Sequence, residues 1–377
     1  MKAAYIHIPF CQHICSYCDF NKFYIKNQPV DEYLTYLEKE IQLTKAQTPT
    51  TYLETIFVGG GTPTALTVEQ LQKLTTIIKE NLPYDEKTEY TFEANPGDLT
   101  IEKLEVLKQA GVNRISLGVQ TFNEKLLKDI GRTHSPEDVF ETIENIKKVG
   151  FENFSLDLIY SLPNQTIEDF AQTLTTAFSL GVTHFSGYSL ILEPKTIFYN
   201  LYNQKRLNLP PEETEAAMYD LLMTEMEAHG YKQYEISNFA KEEKYQSRHN
   251  LTYWKNNEYY GFGAGAHSYV NGMRNTNHGP LKKYMEDLDE GKLPYLYTHK
   301  VTEQEKIEEE MFLGLRTIKG VSLKHFEEKF RKNLLVEFKD AVEEMVQRQL
   351  LVVEEGHVRL TRKGRFLGND VFVAFLQ

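Results

Sequence analysis

The feature that most restricts the fold is an alternation of short apolar runs with amphipathic stretches through the first half of the chain. Candidate strands fall at residues 4–8, 55–58, 89–93, 114–120, 153–158 and 184–190. Helical spacing fills the gaps. Residues 31–44 carry Tyr33, Leu34, Leu37 and Ile41, and residues 68–80 carry Leu71, Leu74, Ile77 and Ile78. Residues 101–110, 136–149 and 167–180 behave alike, with Pro136 suited to a first helical turn and Gly111, Gly150 and Gly181 to helix ends. Strand and helix repeated about six times make a parallel sheet with crossover helices. Six units fall short of the eight in a closed TIM barrel. The expected fold is therefore α/β, a partial (β/α)6 TIM-like barrel, although periodicity alone does not separate it from a flat doubly wound sheet.

From residue 194 to about 297 the pattern loosens, and only residues 212–229 read clearly as a helix. Residues 301–377 read as helices near 303–318, 323–330 and 336–347, then strands at 350–354 and 357–360, which suggests a small, mostly helical, winged-helix-like module. The expected division is a core at 1–195, a barrel extension at 196–300 and a C-terminal domain at 301–377. The chain has 377 residues, 41% of them hydrophobic and 25% charged, which suits a globular protein with a sizeable core. Its net charge of -12 argues against nonspecific nucleic-acid binding, which needs a cationic surface. No nucleic-acid partner is expected, even for a winged-helix-like module, since fold does not fix function. The same charge argues against a generally basic membrane-binding face. No run approaches the roughly 18 apolar residues of a membrane span, and the first residues lack a signal core, so a cytoplasmic location is expected.

All three cysteines, Cys11, Cys15 and Cys18, lie in the first 18 residues. An odd count in a cytosolic-looking chain does not make a disulfide framework. Free cysteines are often just small buried hydrophobes, but chance does not readily put a chain's only three within eight residues. Cys-x3-Cys-x2-Cys can fold around one soft metal centre. Zinc would want a fourth ligand, with His13 or His7 as candidates. An iron–sulfur cube normally takes four thiolates; held by three, it keeps one iron open for a small ligand.

In parallel βα architectures the loops at the carboxyl ends of the strands build the site. The first strand delivers the cysteine loop. The second ends in Gly59, Gly60, Gly61 and Thr62, which permit close backbone approach and offer amides, without the Lys-Ser/Thr of a P-loop. Glu93, Gln120 and Asp157 lie on the third, fourth and fifth strands, and Arg132 follows the fourth. Each taken singly reads as a cap or surface charge; gathered around one axis they suit a ligand with a carboxylate (Arg132), an amine (Glu93) and a ribose (Asp157). S-adenosylmethionine has these parts, and the open iron could chelate its amine and carboxylate.

The stretches YIHIPFC, CQHICSYC, VGGGTPT, EANP, RISLGVQTF, GRTH and DLIYSLP resemble the radical S-adenosylmethionine superfamily. More narrowly, they resemble the branch that holds the oxygen-independent coproporphyrinogen III dehydrogenases and the HemW-type heme chaperones. The resemblance spans essentially the whole chain. It implies a [4Fe-4S] cluster on Cys11, Cys15 and Cys18, and S-adenosylmethionine contacts from Tyr5, Gly60, Gly61, Thr62, Glu93, Gln120, Arg132 and Asp157. The implied chemistry is electron transfer from the cluster into the sulfonium, breaking a carbon–sulfur bond.

Within the branch, the dehydrogenases resemble Cys-x3-Cys-x2-Cys-x-Cys; here Phe20 stands at the extra position, and ten residues precede Cys11. Residues 248–254, RHNLTYW, look like the HNxxYW motif of the heme chaperones. Neutral imidazole is a common heme ligand. His249, Asn250, Tyr253 and Trp254 are the expected heme-binding residues, with His267 ranked lower. The first expectation is a heme chaperone that passes heme to acceptors such as respiratory enzymes. The second is an oxygen-independent coproporphyrinogen III dehydrogenase, turning two propionates into vinyl groups. A DNA-binding regulator comes third, opposed by the charge. The resemblance implies cytoplasmic proteins that can associate peripherally with membranes during delivery. Oligomeric state is open, a homodimer included.

Overall fold

The structure, a computed structural model, describes residues 1–376. The six expected strands form: β1 (Ala3–Ile8), β2 (Thr55–Gly60), β3 (Glu89–Ala94), β4 (Arg114–Gln120), β5 (Phe154–Tyr160) and β6 (His184–Ser189). They pair in parallel, each with its successor in the chain. A doubly wound sheet reverses its winding at a switch point. These six strands never do, so the chain winds as a barrel.

Successive side chains on a strand point to opposite faces, and here the two faces differ in chemistry. One face carries Ile6, Val58, Phe92, Leu117, Leu156 and Phe185, all fully buried in the main hydrophobic core. That core is completed by residues such as Leu37, Leu74, Leu104, Ile143 and Leu174 of the surrounding helices. These are α1 (Val30–Gln47), α2 (Val68–Asn81), α3 (Ile101–Gln109), α4 (Glu124–Asp129), α5 (Pro136–Lys148) and α6 (Ile167–Ser179). The other face is polar or aromatic, and the register lines it up across the sheet. Tyr5 sits beside Phe57, Glu93 beside Ser116, Gly118 beside Asp157, and Asp157 beside Ser186. Reciprocal capping boxes start α2 (Thr67 with Gln70), α5 (Ser135 with Asp138) and α6 (Thr166 with Asp169). Each such N-cap is worth about 1 kcal/mol.

The segment after residue 194 is more ordered than its sequence pattern suggests. Helices α7 (Ile197–Asn203), α8 (Glu212–Ala228) and α9 (Arg248–Trp254) form there. β7 (Asn238–Ala240) pairs antiparallel with β6. β8 (Tyr259–Phe262) returns to the opposite edge and pairs in parallel with β1. β9 (His267–Val270), β10 (Met273–Asn277) and β11 (Tyr295–Lys300) follow as antiparallel hairpins. With the short strand Lys232–Gln233 they complete one open 12-stranded sheet.

The C-terminal region has its own core, around Phe326, Phe338, Val358 and Phe375. Its small sheet places His357–Leu360 between Val321–Ser322 and Leu351–Glu354. The expected helix at 336–347 is two helices, Leu334–Glu337 and Lys339–Gln347, because the buried ring of Phe338 turns inward between them. The helix expected to reach 318 ends at Gly314. Beyond it the Arg316 guanidinium lies 4.5 Å over the Trp254 ring of α9. No helix among the described residues is long and apolar enough to cross a membrane.

Candidate functional site

The site has two tiers along the barrel axis. The upper tier is the cysteine loop. Phe10–Cys11 pairs with Phe23–Tyr24, and Asn21 Nδ2 donates to the carbonyls of Ala264 and Gly279 at 2.8 and 3.0 Å. The loop is therefore fastened at both ends before any ligand is considered. Thr62 Oγ1 lies 3.5 Å from Cys11 Sγ and accepts from Asn95 Nδ2 at 3.1 Å. Burial pushes the Cys11 thiol up to about 11 and also raises Cys18. Arg132 approaches from beyond β4: its Nη1 lies 3.6 Å from Cys15 Sγ, and its Nη2 donates to the Gly118 carbonyl. Its Nε is buried without a hydrogen-bond partner.

The glycines here make room for the site. A Cβ at Gly59 would meet Glu93 Oε2 at 2.6 Å, one at Gly61 would meet the Phe10 backbone at 2.8 Å, and one at Gly118 would meet Arg132 Nη2 at 2.6 Å. The amides of the glycine turn meet a carboxylate and carbonyls of the protein itself. Gly60 N donates to Glu93 Oε2 at 3.0 Å, Gly61 N to the Ile8 carbonyl and Thr62 N to the Phe10 carbonyl. Gln120 occupies a bulge against β5, with φ 67°.

The lower tier is a cavity of about 290 Å³ inside the barrel. Tyr5, Glu93, Asp157, His249, Asn250 and Tyr253 all line it, with Phe20 of the cysteine loop and Tyr188. Glu93 is pushed up to about 8, chiefly by burial and further by Asp157, against the opposing pull of the Gly60 amide. Asp157 accepts from Ser116 Oγ at 3.0 Å and is also raised by burial. Two half-buried carboxylates thus face one chamber. Among the described residues no cation is hydrogen-bonded to either, although Arg114 of the same lining attracts Asp157, a setting that favours an ammonium-bearing or hydroxylated ligand.

Of the two histidines weighed as metal ligands, His7 is otherwise employed and His13 is exposed on the cysteine loop. His7 Nε2 donates to the Asn21 carbonyl at 2.7 Å, so its Nδ1 accepts from Tyr5 OH at 2.9 Å, and burial lowers the ring to about 4. No lone pair is left for zinc.

The 248–254 motif forms the barrel floor. Glu89, at the start of β3, accepts from the amides of Arg248 and His249, both at 2.9 Å. His249 is 1% exposed, Nδ1 lies 2.9 Å from Thr55 Oγ1, Nε2 lies 2.8 Å from Tyr253 OH, and the ring stacks on Phe57. A neutral imidazole has one lone-pair nitrogen, and here either tautomer commits it to a hydroxyl. Trp254 points elsewhere, to Arg316. His267 is exposed on β9, outside the cavity.

Sequence reasoning looked only at strand ends and missed the interior polar lining: Arg114, Ser116, His184, Ser186, Asn238 and Ser247. It also missed Asn95, which steadies Thr62. The signal was period-two alternation of polar with apolar residues in strands 89–93, 114–120 and 184–188. In a parallel sheet buried on both faces such alternation is not expected.

Among the described residues no three His, Cys, Asp or Glu side chains are gathered to hold a single metal ion. The three free cysteines share one loop, beside a cation with an orphaned N–H and above a polar chamber. That donor chemistry suits a bridging iron–sulfur cluster with S-adenosylmethionine, and the class it points to is a radical S-adenosylmethionine protein. The Radical SAM superfamily model matches residues 5–177, and that of the HemN C-terminal domain matches residues 301–367. The chain is 54% identical over 377 residues to heme chaperone HemW of Bacillus subtilis, covering 100% of this chain and 99% of that protein. It is 44% identical to heme chaperone HemW of Lactococcus lactis, covering 100% and 97%. The coproporphyrinogen III oxidase HemN of Escherichia coli, a radical SAM enzyme, superposes with a TM-score of 0.88 at 25% identity, covering 100% of this chain and 90% of that one. The chain belongs to the HemW family.

Proposed function

We propose that this protein is a heme chaperone that holds a [4Fe-4S] cluster on Cys11, Cys15 and Cys18, binds S-adenosylmethionine and heme, and delivers heme to acceptor proteins such as respiratory enzymes. The observation that carries the heme role is full-length kinship with proteins named heme chaperones. When bound, the cluster supplies one-electron chemistry at an iron that no protein thiolate occupies. The residues of the chain do the rest. Arg132 offsets the charge of the thiolates beside it and has an N–H to spare for a carboxylate. Glu93 takes an ammonium, Asp157 takes ribose hydroxyls, and Thr62 with Asn95 orients Cys11. Tyr5, Gly60, Gly61 and Gln120 complete the contacts. The 290 Å³ chamber is smaller than a porphyrin. In this proposal heme reaches Tyr253, which lines the chamber, Trp254, which lies against Arg316, and the His249 nitrogen only when α9 lifts. The cytoplasm is the proposed compartment; peripheral membrane contact and a homodimer during delivery belong to the same proposal.

The test pairs heme titration of the anaerobically reconstituted protein with an assay of coproporphyrinogen turnover. Saturable heme binding without protoporphyrinogen formation is expected. Rapid protoporphyrinogen formation would hand the function to the dehydrogenase alternative.

A further inference from the structure

A hydrogen-bond chain runs along and behind the cavity lining from Asp157 to the start of the motif helix, and its donors all point one way. The Ser247 amide donates to Tyr234 OH at 3.0 Å. With that oxygen accepting, the Tyr234 hydroxyl proton goes to His184 Nε2 at 2.8 Å. His184 Nε2 is then the acceptor, so Nδ1 carries the proton and donates to Ser155 Oγ at 2.7 Å. Ser155 Oγ in turn faces Asp157 Oδ1 at 3.5 Å, the loosest link. His184, Ser155, Tyr234 and Ser247 are all buried. Ser247 caps α9, with its Oγ accepting from the Asn250 amide at 3.2 Å.

We propose that His184 and Tyr234 are positioning residues that couple ligand occupancy at Asp157 to the seating of α9. In such a chain each bond polarises the next, and the low-dielectric surroundings make a broken link expensive. A ligand hydroxyl arriving on Asp157 rearranges the donors already there, Ser116, Ser155 and Ser186, the last also 3.5 Å from Ser155 Oγ. The change reaches α9 through its cap. The two-state element is α9 itself, seated on Glu89 or lifted. The proposal rests on the S-adenosylmethionine assignment made above and adds a route between that site and the heme motif.

The experiment is amide hydrogen exchange of the full-length, cluster-reconstituted protein with and without S-adenosylmethionine, whose binding is measured separately by equilibrium dialysis. In the parent protein the ligand should slow exchange at residues 247–250 about fivefold, the lower end of ordinary coupling between sites. Tyr234→Phe should still bind the ligand within about threefold but lose that slowing. Ser155→Ala, a smaller change at the other end of the chain, should also lose the slowing when read at saturating ligand, whatever its affinity, and decides the matter if Tyr234→Phe does not fold. Unchanged slowing in a folded variant, or none in a parent protein that binds the ligand, overturns the coupling alone. A parent protein that binds no S-adenosylmethionine overturns the coupling and the cofactor assignment together.

Discussion

Glu93 concentrates the electrostatics of the cavity in one carboxyl. Its folded value of about 8 lies above the ordinary 4.5, so the folded protein holds a proton that the unfolded chain releases. That contribution is fully present below the unfolded value and is lost as pH rises through the folded one. The ligand-free protein should therefore lose thermal stability between about pH 4.5 and 8. Glu93→Gln should flatten part of that fall, which melting curves across the range will read; an unchanged slope contradicts the assignment. The ammonium proposed for this site needs the carboxylate. Affinity for S-adenosylmethionine should therefore rise with pH toward 8 in the parent protein, and Glu93→Gln should lower it about tenfold or more by calorimetry. The residues at strand ends could be named from sequence because glycine, acid and arginine interrupt apolar runs there. The interior serines and His184 each read singly as an ordinary strand residue, and only the alternation along their strands marks them.

Among the elements, α9 carries the sharpest expectation. His249→Ala removes the partner of both Thr55 and Tyr253 and leaves a gap against Phe57. The cost should be about 2–4 kcal/mol of stability in denaturant titrations. The same variant should bind heme more weakly or with altered ligation; an identical Soret band and affinity remove His249 from the proposed ligands. α9 escaped a periodicity search because seven residues make barely two turns, yet Ser247 before it is a good N-cap. The β9–β10 hairpin was passed over in the same way, although Asn271-Gly272, with φ 51° and 72°, is the Asn-Gly signal of a tight hairpin turn. The break at Phe338 was not, since a phenylalanine does not stop a helix until a core claims its ring.

At the scale of the whole molecule, the C-terminal module is tied to the barrel floor through Arg316 on Trp254 and through the Ile236 amide donating to the Arg316 carbonyl at 3.0 Å. Arg316→Ala should destabilise this junction by about 1–2 kcal/mol and speed proteolysis near residue 301; unchanged cleavage would mean the module docks by other contacts. The barrel was legible as six βα units, and the module as helices followed by a hairpin. The return of β8 to pair with β1 was not, because a long-range pairing leaves no local pattern. The central claim is that the thiols of Cys11, Cys15 and Cys18 share an iron–sulfur cube at the barrel mouth. Metal and sulfide analysis after anaerobic reconstitution tests it most directly. About four irons and four sulfides per chain are predicted, falling to background when any one of the three cysteines becomes serine. Stoichiometric zinc, with no capacity for iron and sulfide, would contradict it.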